Sequence, residues 1–358
     1  MKAKYKRIKR NEIINTTKPQ NIKVFNYGLA ILKAIYAFLV VRHHSFDPKT
    51  TKNKIILHFT KERLLHVPSF FILSFYFTSK SLLSLKPKII LNRLIRLFIP
   101  YIGWALIIFK TNRLFNKKFK TKLKDSYFHL KLQLIWGQGY VPQLWFLNAL
   151  IAMTLLFILT IFIFRKHTLF ILQIILVLSY IPQYTGYLYK NIVKKYPYYN
   201  NLVLAYFFAS IPLCITGFIL GYFKVIDLLQ KYKIKTLILS LIIYNVVEDY
   251  NIFANTSFMA YQGINLNIKC ICIIFIFSLF PSEKITNKYL AKFLIQITNY
   301  TGGVFYLHIP IRDYCKVFLD SVKNQTFLGV AIIYLICYFI CFAGMLIFGK
   351  TPIKYLFC

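Results

Sequence analysis

Long apolar runs alternate with short basic or Asn-rich connectors along this chain. Runs such as LFILQIILVLSYI and CICIIFIFSLF are continuous, with no period-two alternation. They read as helices whose backbone satisfies its own hydrogen bonds, not as barrel strands. Spans are expected at 24–42, 64–85, 94–111, 142–164, 168–189, 201–223, 234–250, 266–281, 291–310 and 326–348. Each crossing takes about 20 residues, so most of the 358 residues are used and no sizeable soluble domain fits. The expected fold is all-α, a polytopic integral membrane protein with about ten transmembrane helices. A basic cytoplasmic tail over 1–23 would precede a membrane domain over 24–350, with a short cytoplasmic tail over 351–358.

Composition agrees, with 58% hydrophobic residues. The net charge of +36 would suggest nucleic acid in a soluble chain, but here it is spread over nearly every connector. Nothing interleaves aromatic and basic residues as a nucleic-acid platform does, so the expected partner is membrane lipid. Lys and Arg divide almost evenly between the two sides, which makes the positive-inside signal weak. The basic start MKAKYKRIKR and the Lys86–Arg96 stretch favour cytoplasmic termini, whereas the Lys110–Lys131 stretch opposes them. The first apolar run begins after residue 23 and lacks a small-residue cleavage pattern, so it is expected to stay as a helix. Cys214, Cys270, Cys272, Cys315, Cys337, Cys341 and Cys358 lie mostly in apolar runs, where packing is expected rather than a metal site.

Against this background, ionisable groups inside apolar runs stand out. Lys33, His43 and His44 fall in LAILKAIYAFLVVRHHSFD. At about 100° per residue, Lys33 and His44 return to one helical face after roughly 16 Å of rise, while His43 projects about 100° away. An extended ligand would have to connect the two. Asp47, three residues after His44, is spaced to orient the imidazole, although Pro48 disturbs helical geometry there. Arg93 and Arg96 share a face at the expected start of the third helix and form a fork suited to phosphate; anchoring at lipid headgroups is the rival reading. Trp145 and Phe146 offer either a sugar-stacking surface or interfacial anchors. His308, beside Tyr306, either lines the same cavity or fills a buried structural role, and the latter is favoured. Glu248 and Asp249 read as solvated helix-end acids. His58, His66, His129 and His167 have no partner at a persuasive spacing.

Taken together, the patterns resemble the membrane acyltransferase-3 family. Lys33 and His44 match its basic residue–ten–histidine spacing, and VPSFFILSFYF looks like its Phe-Phe segment. Arg93 and Arg96 match its Arg-x-x-Arg motif. LWFLNALIAM, from Leu144 to Met153, is similar to its Leu-Trp-Phe-Leu opening, and TGGVFYLHIPI, from Thr301 to Ile311, resembles its Tyr-Leu-x-His segment. The resemblance runs over residues 24–356, with two departures. Phe75 stands where glycine commonly continues a Ser-Gly pair, and Asn148 lies near a glutamate of one large branch.

The resemblance implies transfer of an acyl group, usually acetyl, from acyl-CoA (acetyl-CoA) to a hydroxyl of a carbohydrate or glycolipid acceptor, with no metal. The CoA phosphates would bind near Arg93 and Arg96, with Lys33 along the thioester arm and His44 meeting the acceptor. A neutral imidazole can take the hydroxyl proton, which makes His44 the candidate base and His43 its reserve. An acyl-histidine relay is the other route. The competing class is a transporter or exporter of a glycan or lipid-linked precursor. It would call for repeat symmetry or paired broken helices, and neither is visible in the sequence.

Overall fold

A computed structural model describes residues 26–45, 65–115, 130, 144–184, 200–249, 263–280, 287–319 and 326–358. The described residues are helical, without strands. In chain order the helices are α1 Tyr27–Ser45, α2 His66–Leu83, α3 Pro87–Phe115, α4 Trp145–Phe164, α5 Thr168–Tyr184, α6 Asn200–Tyr222, the short α7 Val225–Leu229, α8 Lys233–Asp249, α9 Ile264–Ser278, α10 Lys288–Phe318 and α11 Phe327–Phe348. Each expected apolar run carries one of the long helices.

Helix ends follow local chemistry. The Asn287 side chain accepts from the Tyr289 and Leu290 N–H groups at 2.9 and 3.1 Å, starting α10 before its apolar run begins. Thr326 caps α11 through the Gly329 N–H at 3.1 Å. Asn26 caps α1 through the Leu29 N–H at 3.0 Å, and its amide also donates to the Ser278 carbonyl at the end of α9. Leu85, with φ 46°, turns the chain between α2 and α3, and Pro87 opens α3 in the first-turn position where its missing N–H costs nothing. Two consequences reach the candidate residues. α1 extends to Ser45, so His43 and His44 are on the helix rather than beyond it. α3 begins at Pro87, so Arg93 and Arg96 are not at a helix N-terminus as expected but about two turns inside.

Pro87–Lys110, Phe327–Phe348 and the stretch Trp145–Ile181, interrupted by a tight turn at Arg165–His167, are long and apolar enough to cross a membrane by themselves. Phe207–Tyr222 and Val225–Val247 form a further pair bent by 57°. The described chain is thus an all-α membrane protein. α1 carries Lys33 in its interior and Arg42, His43 and His44 in its last turn, and those groups lower its apolarity.

Helix association in lipid relies on close packing, because lipid tails are as apolar as the side chains. α2 sits centrally, packed against α6 and also touching α1, α4 and α9. The α2–α6 contact is made by a small-residue pair spaced by four, Gly217 and Gly221. A Cβ at either glycine would collide with the Ile72 or Tyr76 carbonyl of α2. Next to this contact, Phe75, Phe157 and Phe218 form a buried ladder, with centroids 4.7 and 5.0 Å apart. α10 packs on α1 and α11, bringing the second half of the chain against the first helix.

Candidate active site

A cavity of about 790 Å³ opens among α1, α2, α3, α4, α10 and α11. Among the described residues its lining contains four basic side chains, Lys33, Arg93, Arg96 and Lys354, and no Asp or Glu side chain. Such a chamber suits an anionic ligand, since grouped cations without acidic partners are relieved by incoming negative charge. Ser74, Thr78, Asn92 and Asn299 add neutral hydrogen-bonding groups.

The two arginines are held differently. Arg93 donates from Nε to the Thr154 hydroxyl at 3.1 Å and from Nη2 to the Ser74 hydroxyl at 3.3 Å, tying α3 to α4 and α2. Its guanidinium also lies 5.0 Å from the centre of the Phe75 ring. Arg96, one turn on, is exposed and lies 5.6 Å from the Tyr355 ring. Both line the cavity, as a three-residue spacing on one helical face requires. Lys33 reaches the same chamber with its Nζ 4.9 Å from the Phe77 ring.

Deeper along α1, a second cluster assembles from three helices. The His44 ring lies 5.0 Å from that of His308 on α10 and 5.1 Å from that of His43. The His43 ring in turn lies 5.9 Å from that of His66, the first residue of α2. His308 is buried, and its Nδ1 lies 2.7 Å from the Phe305 carbonyl. A carbonyl only accepts, so Nδ1 carries the proton and Nε2 keeps its lone pair. That Nε2 is buried without a hydrogen-bond partner among the described residues. Arg312, one turn further along α10, donates from Nη1 to the His44 carbonyl and from Nε and Nη2 to Asp313 at 2.8 and 2.6 Å. The end of α1 is thereby pinned to α10.

Between the cation chamber and the histidines stand three aromatic rings, Phe70, Phe146 and Phe305. Their centroids are 6.3, 6.4 and 5.2 Å apart, and all three line the cavity. Phe305 lies 6.0 Å from the His308 ring. None of the histidines lines the cavity. The rings therefore form an apolar partition between anion-binding and proton-accepting groups.

A family model described as an acyltransferase domain matches residues 26–349, nearly the whole chain. The chain belongs to the acyltransferase-3 family. It is a membrane acyltransferase, transferring groups other than aminoacyl groups. No curated protein and no solved structure matches it. In this acyltransferase the departure at Phe75 has a visible consequence: the ring is fully buried and supplies the face on which Arg93 rests.

Of the candidate residues, Lys33, Arg93, Arg96 and Tyr306 meet in the chamber, and His43, His44 and His308 meet beyond the partition. Trp145 packs 6.0 Å from Phe71 and does not line the chamber; Phe146, its neighbour, does. Asp47 lies outside the described residues. Sequence reasoning passed over His66, Arg312, Ser74, Thr154 and the Lys354–Tyr355 pair. Of these, the arginine at 312, a cation one turn from His308, carries a signal that helical spacing registers.

Proposed function

We propose that the acyltransferase moves an acyl group, acetyl in the simplest case, from acyl-CoA to a hydroxyl of a carbohydrate or glycolipid acceptor. The observation that carries this reading is the alignment along α1 of the chamber lined by Lys33, Arg93 and Arg96 with the His44–His308 pair, across the aromatic partition. Four basic side chains with no Asp or Glu among the described lining residues fit the phosphates of CoA. The apolar rings beyond them fit a thioester arm, which brings no charge to satisfy.

In this reading His44 accepts the acceptor hydroxyl's proton as the oxygen attacks the thioester carbonyl carbon. The tetrahedral intermediate collapses, the C–S bond breaks, and the thiolate leaves with a proton returned by the imidazolium. The products are the ester and free CoA thiol. His308, with its Nδ1–H engaged by Phe305, presents the Nε2 lone pair near the His44 ring and steadies the imidazolium that forms. The membrane is part of the design, because donor and acceptor approach from opposite ends of α1.

The test is transfer from labelled acetyl-CoA in lipid nanodiscs, over a panel of glycans and glycolipids, with wild type compared with His44→Ala at matched folding. Transfer by wild type and its loss in the variant is the expected result. No CoA binding and no thioester loss across the panel sinks the donor assignment, and undiminished activity of His44→Ala sinks the base. A transporter would instead move the glycan without consuming thioester.

A further inference from the structure

The family match ends at residue 349, yet the chamber wall does not. After α11 the chain turns at Gly349 and Lys350 and enters a 3-10 turn over Pro352–Leu356 that packs on α3 and α11. This segment is locked in place. The Trp104 indole donates to the Leu356 carbonyl at 2.9 Å, and both residues are buried. The Phe357 ring stacks parallel to Phe348 at 6.0 Å and covers Gly344, where a Cβ would collide with it. Gly302 and Gly303 of α10 let the backbone carbonyls of Cys358 and Phe357 approach closely, so the T-G-G run beside Tyr306 serves as the seat for residues 357–358. Cys358 Sγ lies 3.3 Å from Met345 Sδ.

Held this way, the segment turns Lys354, Tyr355 and Cys358 toward the chamber. Tyr355 has the Arg96 guanidinium 5.6 Å and the Lys354 ammonium 5.4 Å from its ring centre. Two cations on one aromatic ring repel each other, and the described lining offers no Asp or Glu side chain to offset them. The ring offsets only part of that repulsion, because a cation–π contact at an accessible site is weak. An anion bridging both relieves the rest.

Resting on the acyl-CoA reading above, we propose that the segment Pro352–Cys358 is a third wall of the donor site, in which Lys354 binds a phosphate of the CoA moiety together with Arg96, and Tyr355 positions both cations. The segment follows the residues that the family model matches. It also places the phosphate-bearing end of the donor where α3, α11 and the segment meet, on the chamber side of the aromatic partition.

The experiment measures binding of a non-reactive desulfo-CoA to purified protein by calorimetry, in nanodiscs of neutral lipid and again with anionic phosphatidylglycerol added. Wild type is compared with Lys354→Gln, Lys354→Arg, Tyr355→Leu and Arg96→Gln, each checked for an unchanged melting temperature. Lys354→Gln is expected to weaken binding about tenfold, the scale of one charge-assisted hydrogen bond, with Lys354→Arg restoring most of it. Tyr355→Leu is expected to weaken binding by a smaller factor, and its effect should shrink when Lys354 is already Gln. If Arg96→Gln loses affinity and Lys354→Gln stays within twofold of wild type, the third wall is wrong and the donor reading stands. If wild type binds no desulfo-CoA in neutral lipid, the donor reading fails and takes the wall with it. A Lys354→Gln variant that changes only the response to phosphatidylglycerol makes the lysine a headgroup anchor and overturns the proposal.

Discussion

The His44 ring on α1 lies 5.0 Å from the His308 ring on α10, and the Arg312 side chain donates to the His44 carbonyl, so two helices from opposite ends of the chain meet at one pair of imidazoles. His308 already spends its Nδ1–H on Phe305, which leaves the two residues unequal. Among the described residues the His44 ring has ring contacts only, whereas His308 is held by the Phe305 carbonyl.

This inequality makes the two histidines separable by mutation. His44→Ala is expected to lower acyl transfer by about 10²–10⁴-fold, the range of a lost general base, with donor binding unchanged. His308→Gln, which retains a hydrogen-bonding side chain, is expected to cost on the order of tenfold in kcat with KM for the donor unaltered. Steady-state rates with labelled acetyl-CoA separate the two effects, and equal losses would contradict the assignment.

Arg93 and Arg96 should also part company. Arg93 links three helices through Thr154 and Ser74, so Arg93→Ala leaves two hydroxyls without their donor and is expected to lower stability by about 1–3 kcal/mol as well as donor affinity. Arg96 is exposed and rests only near Tyr355, so Arg96→Ala should lower affinity and leave the melting temperature near that of wild type. Thermal unfolding in nanodiscs beside calorimetry distinguishes them.

Phe70, Phe146 and Phe305 fill the path from the chamber to the histidines. Phe305→Ala removes the ring nearest His308 and is expected to shift donor preference from acetyl toward butyryl or longer chains. The measurement is the ratio of transfer rates for acetyl-, butyryl- and hexanoyl-CoA. An unchanged ratio would show that acyl length is set elsewhere.

The α2–α6 contact gives a purely structural prediction. Gly217→Ala forces a Cβ into the Ile72 carbonyl, and the two backbones must separate. Overpacking of this kind costs about 1–3 kcal/mol, to be read as a lowered melting temperature and faster proteolysis. Ala at Gly349, where the near contact is within the chain's own last turn, should do much less.

How much of this was legible beforehand differs by residue. The apolar runs, the shared face of Lys33 and His44 and the pairing of Arg93 with Arg96 follow from helical periodicity, which each segment carries within itself. The start of α3 was misplaced because Pro87 and the turn at Leu85 begin a helix before hydropathy rises. Helical angle and the basic residue–ten–histidine spacing rank His43 below His44, yet His43 joins the cluster because α2 brings His66 to within 5.9 Å of its ring. No local spacing in the sequence pointed to the contact that His66 makes with His43.

By itself, then, the sequence determined a helical membrane acyltransferase and the polar residues its first and third helices can present to a common cavity. Tertiary structure alone decided which of them meet. His44 faces His308, Arg93 is held by Thr154, and Arg96 stands over Tyr355 because α10, α4 and the segment after α11 pack there. The physical reason is range. Hydropathy and helical phase act over one or two turns, whereas these contacts depend on how closely backbones approach, at places such as Gly217 and Gly303, between segments remote in the chain.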